Sequence, residues 1–94
     1  MYEITFHKAV RKDIKNFSKE LQKVIKYKHI EEIRKSPLSF PHLKGTLKKF
    51  KKYTFRYKGV DYRIVYKIEK PAIKIYIIKK REDVHQTILH RLNF

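Results

Sequence analysis

The stretch Tyr53-Thr54-Phe55-Arg56-Tyr57-Lys58-Gly59-Val60-Asp61-Tyr62-Arg63-Ile64-Val65-Tyr66-Lys67-Ile68 decides the fold. Side chains alternate through it with the period of a half-buried strand. The alternation breaks once, at Lys58-Gly59-Val60-Asp61, where glycine marks a tight turn between two strands. In the first strand Tyr53, Phe55 and Tyr57 share one face, and Thr54, Arg56 and Lys58 the other. In the second, Tyr62, Ile64, Tyr66 and Ile68 oppose Asp61, Arg63, Val65 and Lys67. The aromatic-aliphatic rows fit a face packed on helices, with tyrosine hydroxyls reaching the surface. The Arg56 and Arg63 rows fit an open face turned towards something anionic.

Further strands flank this pair. The meander reads as strands over 51–58, 61–69 and 72–80, the last entered through Glu69-Lys70-Pro71-Ala72. In the third strand Ile73, Ile75 and Ile77 oppose Lys74, Tyr76, Ile78 and Lys80, and simple parity puts Arg81 with the core row. Residues 83–92, with Val84, Ile88, Leu89 and Leu92, predict a short closing helix. Upstream, Pro37, Pro41 and Gly45 mark a loop over 37–49. Tyr2, Ile4 and Phe6 alternate as a short first strand, and Val10, Ile14, Phe17 and Leu21 then recur at helical spacing over residues 8–17 and beyond. Ser18 is an N-cap for a second helix carrying Leu21, Val24, Ile25, Ile30 and Ile33. That helix stops at Ser36-Pro37, because the residue before proline resists helical angles. The order β-α-α-β-β-β-α predicts an α+β domain over 1–94: an antiparallel sheet with an N-terminal helical hairpin on one face and a short C-terminal helix.

Charge narrows the function. The chain holds 25 Lys+Arg against 9 Asp+Glu, a net +16, and such self-repulsion favours a counter-charged partner. Residues 37–81 carry 14 of the basic side chains and only two acids, Asp61 and Glu69, so the anion-binding surface is expected there. RNA is the polyanion that best suits it. There is no cysteine, which excludes disulfides and thiolate metal sites. No carboxylate cluster points to Mg²⁺, so no metal and no cofactor are expected. No apolar run approaches the ~20 residues of a membrane span, and residues 1–6 do not read as a signal peptide, so the expected location is the cytoplasm.

The run Arg56-Tyr57-Lys58-Gly59-Val60-Asp61-Tyr62-Arg63-Ile64-Val65-Tyr66 resembles the R-x-G-x-Y-R-[IVL]-[IVL]-Y core of the RelE/ParE toxins of type II toxin-antitoxin pairs, with one extra residue between Gly59 and Tyr62. Leu43-Lys44-Gly45 resembles the family's L-K-G, and Lys80-Arg81-Glu82-Asp83-Val84-His85 its H-R-x-x-V-Y ending. The element order fits as well, so the resemblance covers nearly the whole chain.

RelE-type members cut messenger RNA in the ribosomal A site, whereas ParE-type members poison DNA gyrase. The resemblance therefore implies either a metal-independent endoribonuclease or a non-nuclease toxin, and a plain RNA-binding module is a third reading. On the nuclease reading Arg63 contacts the scissile phosphate, Arg81 assists it, and His85 protonates the leaving group. Arg56 falls where some members carry a lysine proposed as general base. Arginine cannot take that role, because its pKa exceeds 12. His42, on the loop before the sheet, is the candidate base. Lys44, Lys48, Lys49, Lys51 and Lys52 form a basic run suited to nonspecific phosphate contact. His7, His29 and His90 have no supporting context. Both toxin readings imply a cognate acidic antitoxin as partner, with ribosome and mRNA, or gyrase, as target.

Overall fold

The computed structural model describes residues 2–92. Its elements are β1 (Glu3–Phe6), α1 (Val10–Ile14), α2 (Lys19–Val24), a π-helical turn (Ile25–His29), α3 (Ile30–Lys35), a 3₁₀ turn (Gly45–Leu47), β2 (Phe50–Tyr57), β3 (Val60–Glu69), β4 (Ala72–Lys80) and α4 (Arg81–Arg91).

The hairpin forms where the alternation predicts it. Lys58 and Gly59 both have positive φ, 48° and 79°, so the turn is the two-residue kind whose twist matches the flanking strands. It is tighter than the four residues expected, with Tyr57 already paired to Val60. The Ser18 hydroxyl caps α2, accepting from the Leu21 amide at 3.1 Å. Ile25 and Ile30 lie five residues apart, about 140° round an α-helix. The π turn between them widens the helix so that both reach the core. The first helix is shorter than the expected 8–17, ending at Ile14.

The sheet order is β1-β4-β3-β2. The meander is antiparallel, but β1 lies parallel to β4, pairing Glu3–Phe6 with Ala72–Ile75. The sheet is therefore mixed rather than wholly antiparallel. A chain that leaves β1 through the helices returns to β1's neighbour only after the meander, which sets the direction of that pair.

One core joins the helical hairpin to the sheet through Leu21, Ile25, Ile30, Ile33, Phe55, Tyr62, Ile64, Tyr66, Ile73, Ile75 and Ile78. Tyr66 is fully buried, and its hydroxyl donates to the Pro37 carbonyl at 2.6 Å. The opposite side of the sheet, expected to be open, is half covered. Val84, Ile88 and Leu92 of α4 pack with Leu43 on Val65 and Ile77, the residues that alternate with Ile64 and Ile78. Helices thus lie on both sides of the sheet. Val65 and Ile77 are apolar on what would otherwise be a wet face, and their burial is what draws α4 there.

The parity of β4 changes at Tyr76. Tyr66 pairs with Ile75 and Val65 with Ile77, so Tyr76 is an extra residue, a β-bulge. Beyond it Ile78 joins the hairpin-side core, while Lys79 falls on the α4 side, and the strand ends at Lys80. The expectation that Arg81 shares the core row is overturned: Arg81 lies past the strand, exposed, as the first residue of α4.

Candidate anion site on the α4 side of the sheet

Arg63 stands at the centre of β3, opposite Thr54 on β2 and Lys79 on β4. It is half-buried, and its Nε donates to the Thr54 hydroxyl at 3.1 Å. That bond fixes the guanidinium plane while its terminal amino groups have no partner among the described residues. Burial, and after it the charge of Arg81, lowers the Arg63 pKa. Two cations with no carboxylate paired to Arg63 make a place where an anion relieves repulsion.

Arg81 opens α4 and is exposed. It lines a shallow hollow at the hairpin end with Gly59, Val60, Asp61, Lys80 and Glu82. His85 lies one turn further on, four residues from Arg81 and so on the same flank of the helix. The opposite flank, carrying Asp83, Thr87 and His90, lines a separate groove with His7 and Lys79. His85 is exposed and makes no hydrogen bond among the described residues, so nothing fixes its tautomer.

Other sequence candidates separate. Arg56 pairs across the hairpin with Asp61, Nε to carboxylate 2.9 Å, and that hydrogen bond raises its pKa. Its charge is partly neutralised at the rim of the site. His42 bridges to Lys51, which pairs with Tyr66, so the register places His42 on the hairpin side of the sheet. Arg63 stands on the other side, three β2 residues or roughly 10 Å along. The His42 Nδ1 donates to the Leu43 carbonyl at 3.0 Å, because a carbonyl can only accept. In the neutral ring Nε2 then keeps a free lone pair, but not one beside Arg63.

The basic run divides likewise. Lys44, Lys48 and Lys49 are exposed on the loop, whereas Lys51 and Lys52 lie inside β2. The Lys51 ammonium donates to the Phe40 carbonyl at 3.0 Å on the hairpin side, and Lys52 stands opposite Val65 on the other. Among the described residues no group of three His, Asp or Glu side chains could hold a metal ion, and no helix is long and apolar enough to cross a membrane.

Two groups escaped the sequence reading. Thr54, which orients Arg63, was visible in the right row but carried no chemical signal of its own. Asp13 was placed on a helix without a role. It is buried, and its carboxylate accepts from Arg91 at 2.6 and 2.9 Å and from the Ile78 amide at 3.0 Å. Lys79 turns towards the same carboxylate, at 3.8 Å, and so away from Arg63.

No protein-family model matches the sequence, nor does any curated protein. Two solved structures match the fold. One is an arginine double mutant of the Escherichia coli toxin RelE in complex with an antitoxin RelB peptide, with a TM-score of 0.66 at 19% identity over 92% of this chain and 93% of that one. Another is a conserved hypothetical protein of Helicobacter pylori, with a TM-score of 0.59 at 20% identity over 89% of this chain and 99% of that one. Strand order, parallel first strand and closing helix therefore make up, in this chain, the fold of the toxin RelE.

Proposed function

We propose that the chain is the toxin of a type II toxin-antitoxin pair and acts in the cytoplasm as a metal-independent endoribonuclease on mRNA in the ribosomal A site. The observation that carries this reading is Arg63, a half-buried guanidinium oriented by Thr54, with no carboxylate partner among the described residues and with the charge of Arg81 acting on it.

In the proposed step the RNA 2′-hydroxyl gives its proton to solvent water as its oxygen attacks phosphorus, and the bond to the 5′-oxygen breaks, leaving a 2′,3′-cyclic phosphate and a free 5′-hydroxyl. Arg63 and Arg81 hold the non-bridging oxygens, where charge develops in the pentavalent state. His85 supplies the proton to the departing oxygen as general acid. Lys44, Lys48, Lys49 and Lys52 extend the phosphate contacts. Lys51 is engaged with Phe40 and contributes less.

A ParE-type reading, a toxin that poisons gyrase without cutting RNA, draws on one observation. No candidate base shares the Arg63 side: Arg56 cannot give up its proton and His42 lies across the sheet. A plain RNA-binding module would cause no growth arrest at all.

The acidic antitoxin expected of either toxin has a fitting surface. Phe6, Ile14, Ile25, Tyr27 and Ile30 line an apolar groove rimmed by Lys19, Lys23 and Lys26. Phe6 and Tyr27 are 50% and 67% exposed, large apolar area that a partner would bury.

The test is to express the chain alone in cells and map RNA ends on ribosome-bound messages. Discrete cuts that vanish in Arg63→Ala support the nuclease. Gyrase-linked DNA breaks with intact mRNA select the second reading.

A further inference from the structure

β1 covers only the first half of β4's outer edge, because its pairing stops at Phe6 with Ile75. Beyond that point an edge strand normally presents unpaired amides and carbonyls. Here the edge is closed by side chains from two distant helices. The Asp13 carboxylate of α1 accepts from the Ile78 amide at 3.0 Å, and Arg91 of α4 donates to the Tyr76 carbonyl at 3.0 Å. The two side chains also bind each other through both carboxylate oxygens. Asp13 is 1% exposed in its side chain and Arg91 12%, so water does not compete for either.

Tyr76 is the bulged residue itself, and Ile78 lies two positions beyond it. The bulge inverts the end of β4, turning Ile77 and Lys79 to the α4 side, and Arg81 starts α4 one residue past Lys80, which pairs with Tyr62, the neighbour of Arg63. A bulge leaves ladder groups unpaired and needs outside partners. In this chain Asp13 and Arg91 supply them.

We propose that Asp13 and Arg91 are positioning residues that pin the β4 bulge and thereby hold Arg81 beside Arg63 for phosphate binding. The inference rests on the toxin reading only for the name of the phosphate ligand. The geometry it describes belongs to the chain whatever that ligand is.

The test uses the full chain and a short single-stranded RNA. Arg91→Met removes the bonds to Asp13 and Tyr76 while keeping most of the apolar volume. It is expected to weaken RNA binding about tenfold, as much as Arg81→Ala does, which is the scale of one charge-assisted hydrogen bond. Proton NMR should show the Val65–Ile77 cross-strand contact weakened, with Ile64 and Tyr66 unchanged. Ile33→Val, which destabilises the other core, should bind RNA as the wild type does. Breaking one half of a buried pair can unfold a chain, so the paired variant Asp13→Asn with Arg91→Gln is made too. Its two amides can keep the bonds to Ile78 and Tyr76, and binding is expected to return to within about twofold of wild type.

Unchanged binding and an intact Val65–Ile77 contact in Arg91→Met would overturn the proposal. So would an equal loss of binding in Ile33→Val, since binding would then merely track melting temperature, or a paired variant no better than the single one. If the wild-type chain binds no RNA, the function above falls instead, and the Val65–Ile77 contact alone decides the role of the pair.

Discussion

The two sides of the sheet come from the same alternating strands but do different work. On the hairpin side Ile64, Tyr66, Ile73 and Ile75 have no exposed surface, and helices cover them along their length. On the other side one eleven-residue helix covers Val65 and Ile77 and leaves the hairpin end bare, where Arg56, Arg63 and Arg81 stand. Extending the cover would strip water from guanidinium groups without pairing them, which costs more than the apolar contact returns. The contrast teaches that stability is concentrated on one side and that the other is left incomplete where an anion can enter.

Truncation tests that division most strongly. Ile64→Ala should cost about 2–5 kcal/mol in urea unfolding, whereas Ile88→Ala, at 9% exposure under a lone helix, should cost about 2 kcal/mol or less. Equal losses would mean that the two sides share stability evenly. Arg63→Ala reverses the pattern: melting should barely move while cleavage of ribosome-bound message falls about 100-fold, the scale of removing one donor to a transition-state oxygen.

Acid should act on both sides, with the hairpin side affected more. His29 is buried, stacked on Phe55 at 3.9 Å and hydrogen-bonded to the Tyr53 hydroxyl at 2.8 Å. Burial first, then Lys28, lowers its pKa from 6.5. The unfolded chain therefore binds this proton first. The stability it confers is full above about pH 6.5 and falls as pH drops towards the lower folded value. His7, beside α4, is lowered by burial and then by Arg91, so its sign and window are the same. Melting at pH 7.5 and 5.5 should show a smaller acid loss in His29→Gln than in wild type, and an intermediate one in His7→Asn.

Subtler effects belong to the rim. Replacing Lys44, Lys48 or Lys49 by Ala should flatten the salt dependence of RNA binding, its slope falling by about 0.7 for each phosphate no longer neutralised. Arg56→Ala should change least, a few-fold in binding with no shift in melting, because Asp61 already holds that charge and the pair is exposed. A loss as large as that of Arg63→Ala would place Arg56 inside the site rather than at its edge.

The residues show why some of this was legible. In β2 and β3 no residue is inserted within either strand, so period two assigns Phe55, Tyr62, Ile64 and Tyr66 to the core and Arg63 away from it. Gly59 marks the turn because both turn residues need positive φ. Ser18 and Pro37 bound the long helix through local chemistry. His29 was not legible as a core residue, since a histidine in a helix of lysines looks wet until Phe55 and Tyr53 are brought against it. His42 lay near the sheet in sequence, but the bridge to Lys51 carries it to the far side.

Alternation, turn chemistry and capping act between neighbours, and so the sequence by itself determined the element order, the hairpin and the basic character of residues 37–81. The tertiary structure alone decided how the end of β4 is turned before Arg81 opens α4, where α4 lies and what Asp13 does. A single bulged residue inverts every later position in a strand. The partners that hold the bulge come from helices near opposite ends of the chain, separated by 78 residues. Long-range contacts of that kind leave no period in the sequence to read.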